Sequence, residues 1–221
     1  MFDSVKKFFT SKPTEDHPDY SHVPELMGLR LGGSIELNDL KLRLIDGATT
    51  FQNVGKIHLI QAVGVVKLDE TTRLLRYYTD TDGFLQFALE AGMTESHITD
   101  GKLFFFYETR GIGSDLEWNR QIENEISRPT YMLDEKSFAR TWQVTGERNP
   151  PIAMTETTYR ENEKTTSADQ FVMLYERQAQ EGLLEYLMVS GEEQIIGNNA
   201  DRCLVTSTGI DINQADFAVI S

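Results

Sequence analysis

The sequence predicts a mainly β protein of the α+β kind, with antiparallel sheets forming a sandwich or a partly open barrel. Three observations predict it. Strand-length runs rich in β-branched and aromatic residues follow one another at 56 to 68, 73 to 79, 84 to 90 and 102 to 108. The breaks between them are short and turn-like, which hairpins allow and parallel crossovers do not. Prolines, which cannot donate to a ladder, gather at Pro13, Pro18, Pro24, Pro129, Pro150 and Pro151, so 25 to 128 and 152 to 221 are free to pair.

Taken in order, residues 1 to 12 place Phe2, Val5, Phe8 and Phe9 at helical spacing, with Lys6 and Lys7 available to the opposite side. This reads as a short amphipathic helix. Its three lysines against one aspartate contrast with a total charge of −14. Docking on the domain or on a protein partner is favoured, and contact with an anionic inner-membrane surface is the alternative. Residues 10 to 24 are a polar, Pro-punctuated linker. The chain therefore divides into 1 to 24, helix and linker, and 25 to 221, one globular β-rich domain with sub-halves 25 to 128 and 152 to 221.

Gly32 and Gly33 suit a tight entry into a strand at 34 to 37, since no Gly-Lys-Ser/Thr follows to make a phosphate loop. TDTDG at 79 to 83 is a hairpin turn at Asp82-Gly83. An EF-hand frame there would put Tyr78 and Leu89 at its first and bidentate ligand positions. SDLE at 114 to 117 has the form of a capping box, and Trp118, Ile122 and Ile126 recur every four residues, which predicts one internal helix from 115 to 127. Further strands are predicted at 137 to 144, 153 to 160, 169 to 176, 183 to 189, 202 to 207 and 215 to 220.

Two segments echo each other, KLFFFYETR at 102 to 110 and FVMLYERQ at 171 to 178. The ungapped match from 107 to 118 with 175 to 186 suggests duplication, but SDLEW opens a helix where GLLEY leads into an apolar run. The firmer reading is that LFFFY and FVMLY are too continuous for a face open to water, so each is a central strand covered on both sides.

Composition excludes several functions. With 221 residues, 39% hydrophobic and 25% charged, the chain can bury a core without staples. One cysteine, Cys203 in an apolar run, excludes an internal disulfide framework. The net charge of −14 opposes nucleic-acid binding. No apolar run reaches membrane-span length and no secretory signal opens the sequence, so a cytoplasmic location is expected. His17, His22, His58 and His97 form no metal motif, and no G-x-S-x-G, HExxH or CxxC occurs, so neither metal nor cofactor is expected. Carboxylates are plentiful without forming an assignable pair. Aromatic and polar residues occurring together mark a ligand or partner surface at Tyr77, Tyr78, Gln86, Tyr107, Glu108, Arg110, Trp118, Arg140 and Trp142.

Five phrases carry a family resemblance: GLRLGGSIELN at 28 to 38, RYYTDTDGFLQF at 76 to 87, KLFFFYE with the later EW, FARTW at 138 to 142, and EYLMVSGEEQ with GIDINQADFAVI. Together they resemble the YjfK-type bacterial proteins of unknown function from about residue 25 to the C-terminus. Members of that family are encoded near a PspA-like coiled-coil protein, small membrane proteins and an ATP-grasp-type ligase. The resemblance implies an accessory part in an envelope-associated system and transfers no active-site residue; the leading expectation is a non-catalytic cytoplasmic interaction protein with protein partners. The alternatives are a hydrolase or transferase using carboxylates in a cleft between the halves, or a small-ligand-binding β-barrel. The oligomeric state stays open.

Overall fold

The structure, a computed structural model, describes residues 22–51, 54–142, 148–161, 165–197 and 199–220. The amphipathic segment read at Phe2, Val5, Lys6, Lys7, Phe8 and Phe9 lies outside the described residues. Within them the elements are β1 (Ser34–Leu37), α1 (Asp39–Ile45), β2 (Ile57–Lys67), β3 (Thr72–Thr79), β4 (Gly83–Glu90), β5 (Ile98–Gly111), α2 (Asp115–Arg120), β6 (Thr130–Leu133), β7 (Lys136–Arg140), β8 (Ile152–Arg160), β9 (Thr166–Gln180), β10 (Leu183–Ile196), β11 (Asn199–Asp211) and β12 (Phe217–Ile220).

The strands pair antiparallel throughout. β2 to β5 form a meander, β5 pairs with β11, and β11 leads through β10 to β9. β8 then lies between β9 and β2, in register Ile152↔Val172 on one side and Ala62↔Arg160 on the other, and closes an eight-stranded ring. Of the two architectures expected, the chain forms the barrel, and β8 is the strand that shuts it. Closure leaves no free edge in the ring itself. Two flaps extend the wall: β1 and β12 from the start of β2, and β7 and β6 from the end of β9.

Alternation along each strand gives the wall an outer and an inner face. Outside β2 to β5, Val63, Leu75, Tyr77, Leu85, Phe87, Leu103 and Phe105 pack under the segment from Val23 to Leu37, with Phe217. Outside β9 to β11, Met173, Tyr175, Leu187, Val189 and Leu204 pack under α2 and the β6–β7 hairpin through Trp118, Ile126, Leu133 and Phe138. Burial of each such side chain contributes about 1.5–3 kcal/mol. Gly191 lets α2 come this close: a Cβ there would lie 2.5 Å from the Ile122 side chain and 3.2 Å from Trp118.

LFFFY and FVMLY are covered on both faces, as their continuity requires. In β5, Leu103 and Phe105 face the outer core while Phe104 and Phe106 face inward; in β9, Met173 and Tyr175 face out while Val172 and Leu174 face in. The Asp82-Gly83 turn forms with Asp82 at φ +56°. α2 begins where Ser114 accepts from the Glu117 amide at 3.3 Å. The Glu117 carboxylate does not reach back as a capping box would; it bonds Arg110 instead. After Arg120 the helix widens into a π turn over Gln121–Glu125, so the predicted helix is present in position but not in uniform geometry.

α1 is an additional helix, whose Leu40, Leu42 and Leu44 alternate as strand residues would. Its cap decides the matter, because Asn38 Oδ1 accepts from the Leu40 amide at 3.1 Å and the Lys41 amide at 3.4 Å.

Candidate functional site

The lumen is built by alternate residues of all eight ring strands. In β3 the run Leu74-Leu75-Arg76-Tyr77-Tyr78 sends Tyr77 into the outer core and directs Arg76 and Tyr78 inward. β4 adds Phe84 and Gln86, β8 adds Met154 and Glu156, β9 adds Gln170, and β10 adds Met188 and Glu192. β2 contributes an absence: a Cβ on Gly64 would lie 1.8 Å from Glu156 Oε1. The glycine therefore reserves the space that the Glu156 carboxylate occupies.

Arg76 is the hub, at 2% exposure. Its Nη1 donates to Glu156 Oε2 at 2.6 Å and to Gln170 Oε1 at 2.7 Å, and its Nε donates to Gln86 Oε1 at 2.8 Å. Glu156, equally buried, also accepts from Tyr78 OH at 2.7 Å and Gln170 Nε2 at 2.8 Å. A buried ion pair this densely hydrogen-bonded meets the condition under which its desolvation is offset. Burial disfavours the Arg76 cation, but Glu156, Tyr78 and Glu192 together outweigh it and the net shift is upward. Burial and then Glu156 raise the Tyr78 phenol, which stays a neutral donor.

Glu192 has a different environment. Its carboxylate takes one long bond, from Gln170 Nε2 at 3.4 Å. Burial first, and Glu156 second, push its pKa up to about 7, with Arg76 opposing. The residue retains part of its surface where β10 runs out toward solvent.

Beside these groups stand three aromatic rings. Tyr78 and Phe106 are parallel at 6.3 Å, and Phe84 lies 5.2 Å from Tyr78 and 5.4 Å from Phe106. Together with Met188, Cys203 and Val205 they wall a cavity of about 50 Å³. That holds a few water-sized groups, at roughly 10–15 Å³ each. On the same lumen face, Ser207 is 0% exposed, and its hydroxyl has no hydrogen-bond partner among the described residues. The Thr109 hydroxyl, on the cavity wall, is likewise unpartnered. Burying hydroxyls unsatisfied is unfavourable, and it marks places where a bound molecule would gain.

The lumen also holds Lys102, set between two carboxylates. Its Nζ contacts Asp100 and Asp211, both at 2.8 Å, and lies 4.1 Å from the Tyr186 ring centre. A larger trough of about 580 Å³ between β7, β9 and β10 is an open surface feature. Its Arg177 is already engaged by Glu185 and the Ala48 carbonyl.

Of the residues singled out from sequence, Tyr78 and Gln86 meet in the lumen. Tyr77 is in the outer core, with its hydroxyl donating to the Pro24 carbonyl at 3.3 Å. Tyr107 donates to Asp134 at 2.6 Å, Glu108 is exposed, and Arg110 pairs with Glu117 on the surface. Trp118 and Trp142 pack in the core under α2, where Arg140 bonds the Trp142 and Ser127 carbonyls. These seven do not converge on one place. Arg76, Glu156, Gln170 and Glu192 escaped sequence reasoning. The available signal was a polar residue between apolar neighbours in a strand expected to be covered on both sides, as at Arg76.

Residues 3–218 match the family model described as Protein of unknown function (DUF2491). The chain belongs to the DUF2491 family. It is 28% identical over 197 residues to Uncharacterized protein YjfK of Escherichia coli (strain K12), across 88% of this chain and 90% of that protein. No solved structure matches it. For this DUF2491 member, among the described residues, no three or more His, Cys, Asp or Glu side chains are grouped to hold a metal ion. Nor is any helix among them long and apolar enough to cross a membrane.

Proposed function

We propose that this protein is a small-molecule-binding β-barrel whose ligand occupies the lumen beside Arg76, Tyr78 and Glu192. The observation that carries this reading is an enclosed cavity combining an under-bonded carboxylate, the unpartnered Thr109 hydroxyl and three aromatic rings. Binding is favoured over turnover because the reactive groups are committed. Glu156 is held by Arg76, Tyr78 and Gln170, and the Cys203 thiol is raised by burial and by Glu192, away from its nucleophilic form. The partner and membrane expectations rest on the N-terminal segment and on the family resemblance. Ligand binding has the support of the described residues and is placed ahead of them.

The test is the melting temperature of the full-length protein against small amines, carboxylates and alcohols of two to four non-hydrogen atoms. At least one class is expected to stabilise the wild type and to lose its effect in Ala168→Leu, which fills the cavity wall. Stabilisation that survives filling, or none from any class, would overturn the reading.

A further inference from the structure

Three features of the lumen constrain the ligand beyond its size. The first is charge: one guanidinium, Arg76, faces two carboxylates, Glu156 and Glu192, and Glu156 uses it up. An ionised Glu192 therefore leaves one negative charge uncompensated in a low-dielectric site. The second is donor supply. Arg76 Nε and Nη1 are engaged by Gln86, Glu156 and Gln170, so what this guanidinium keeps for an anion is Nη2, beside the Met154 sulfur at 4.0 Å. The third is the parallel pair of rings, Tyr78 and Phe106, whose faces attract a cation, whereas the Phe84 ring already has the Arg76 guanidinium 5.8 Å over it and stacks on Phe104. Thr109 on the cavity wall and Ser207 on the same lumen face offer hydroxyl oxygens that can accept from N–H groups.

We infer that the ligand is a small organic amine, its ammonium group held by Glu192 against Tyr78 and Phe106; this rests on the ligand-binding reading above. The apolar wall of Met188 and Val205 takes the short carbon chain. Binding requires ionised Glu192, whose carboxyl titrates near 7, so affinity falls as pH drops through that value. Glu156, Arg76, Tyr78 and Cys203 face it; over that range Arg76 stays charged, and Tyr78 and Cys203 stay protonated.

The experiment is a titration of the full-length protein at pH 8 with methylammonium and ethylammonium chloride, at constant ionic strength, monitored by NMR and melting temperature. Acetate and ethanol serve as anionic and neutral probes of similar size. Saturable binding of the amines is expected, weakened at least about tenfold in Glu192→Gln, which loses a charge-assisted bond, and weakened in the wild type at pH 6. Acetate or ethanol binding in the lumen with the amines silent overturns the amine assignment and leaves the binding reading standing. Silence of all probes overturns both. Amine affinity unchanged in Glu192→Gln, or unchanged at pH 6 should that variant fail to fold, overturns the assignment.

Discussion

The two faces of the barrel wall are made from the same strands, residue by residue, yet they follow different rules. The outer face is apolar wherever the N-terminal segment, α2 or the β6–β7 hairpin covers it. The inner face mixes Phe84, Phe104 and Met188 with Arg76, Glu156, Gln170 and Glu192. Outer residues can pack by shape alone, because their cover adapts to them. Inner residues must also balance charge and hydrogen bonds in a closed space with little water. The outer face is where burial stabilises the fold; the inner face gives up some of that stability for polar groups that packing does not need.

The largest effect should come from the outer face. Phe138→Ala, at a fully buried side chain under Arg177, should cost about 3–5 kcal/mol in denaturant unfolding. It should leave lumenal binding in the surviving folded protein unchanged; loss of binding at full folding would show that the faces are not separable.

Next, Arg76→Met strands Glu156 in the lumen and should also cost about 3–5 kcal/mol, at the lower end if the lumen admits water. Arg76→Met combined with Glu156→Leu should recover most of it. A double variant as unstable as the single would mean that the pair itself, rather than the orphaned charge, holds the lumen together.

The smallest effect is a slope. Glu192 has a native pKa of about 7 against an ordinary 4.5. Between those values the native state keeps a proton that the unfolded chain has released, so ligand-free stability falls as pH rises through that window. Glu192→Gln should flatten this dependence in melting curves from pH 4.5 to 8. A slope unchanged by the substitution would assign it elsewhere. The effect is moderated because Glu192 keeps some contact with water.

Much of the fold was legible in the chain. The runs around 56 to 68, 73 to 79 and 84 to 90 became β2, β3 and β4 nearly to the residue, because β-branched and aromatic residues bounded by turns leave little choice. β5, β10 and β11 extend well past the predicted bounds, through polar residues such as Thr99, Glu193 and Asp201 whose pairing depends on a neighbouring strand. α1 was missed because its leucines alternate, and the cap at Asn38 outweighed the pattern. Of the candidate site, Tyr78 and Gln86 were found by their company and Arg76 was passed over, although it stands two residues from Tyr78 on the same face.

What the sequence determined by itself is the eight strands of the ring, their antiparallel pairing and the double cover of LFFFY and FVMLY, because these depend on local preference and on apolar residues avoiding water. What only the tertiary structure decided is that β8 joins β9 to β2. Glu156 comes from 80 positions away to meet Arg76, and Glu192 beside them has no ion pair among the described residues. Charge balance inside a closed ring is a property of which strands face one another, and ring closure joins residues that no local pattern connects.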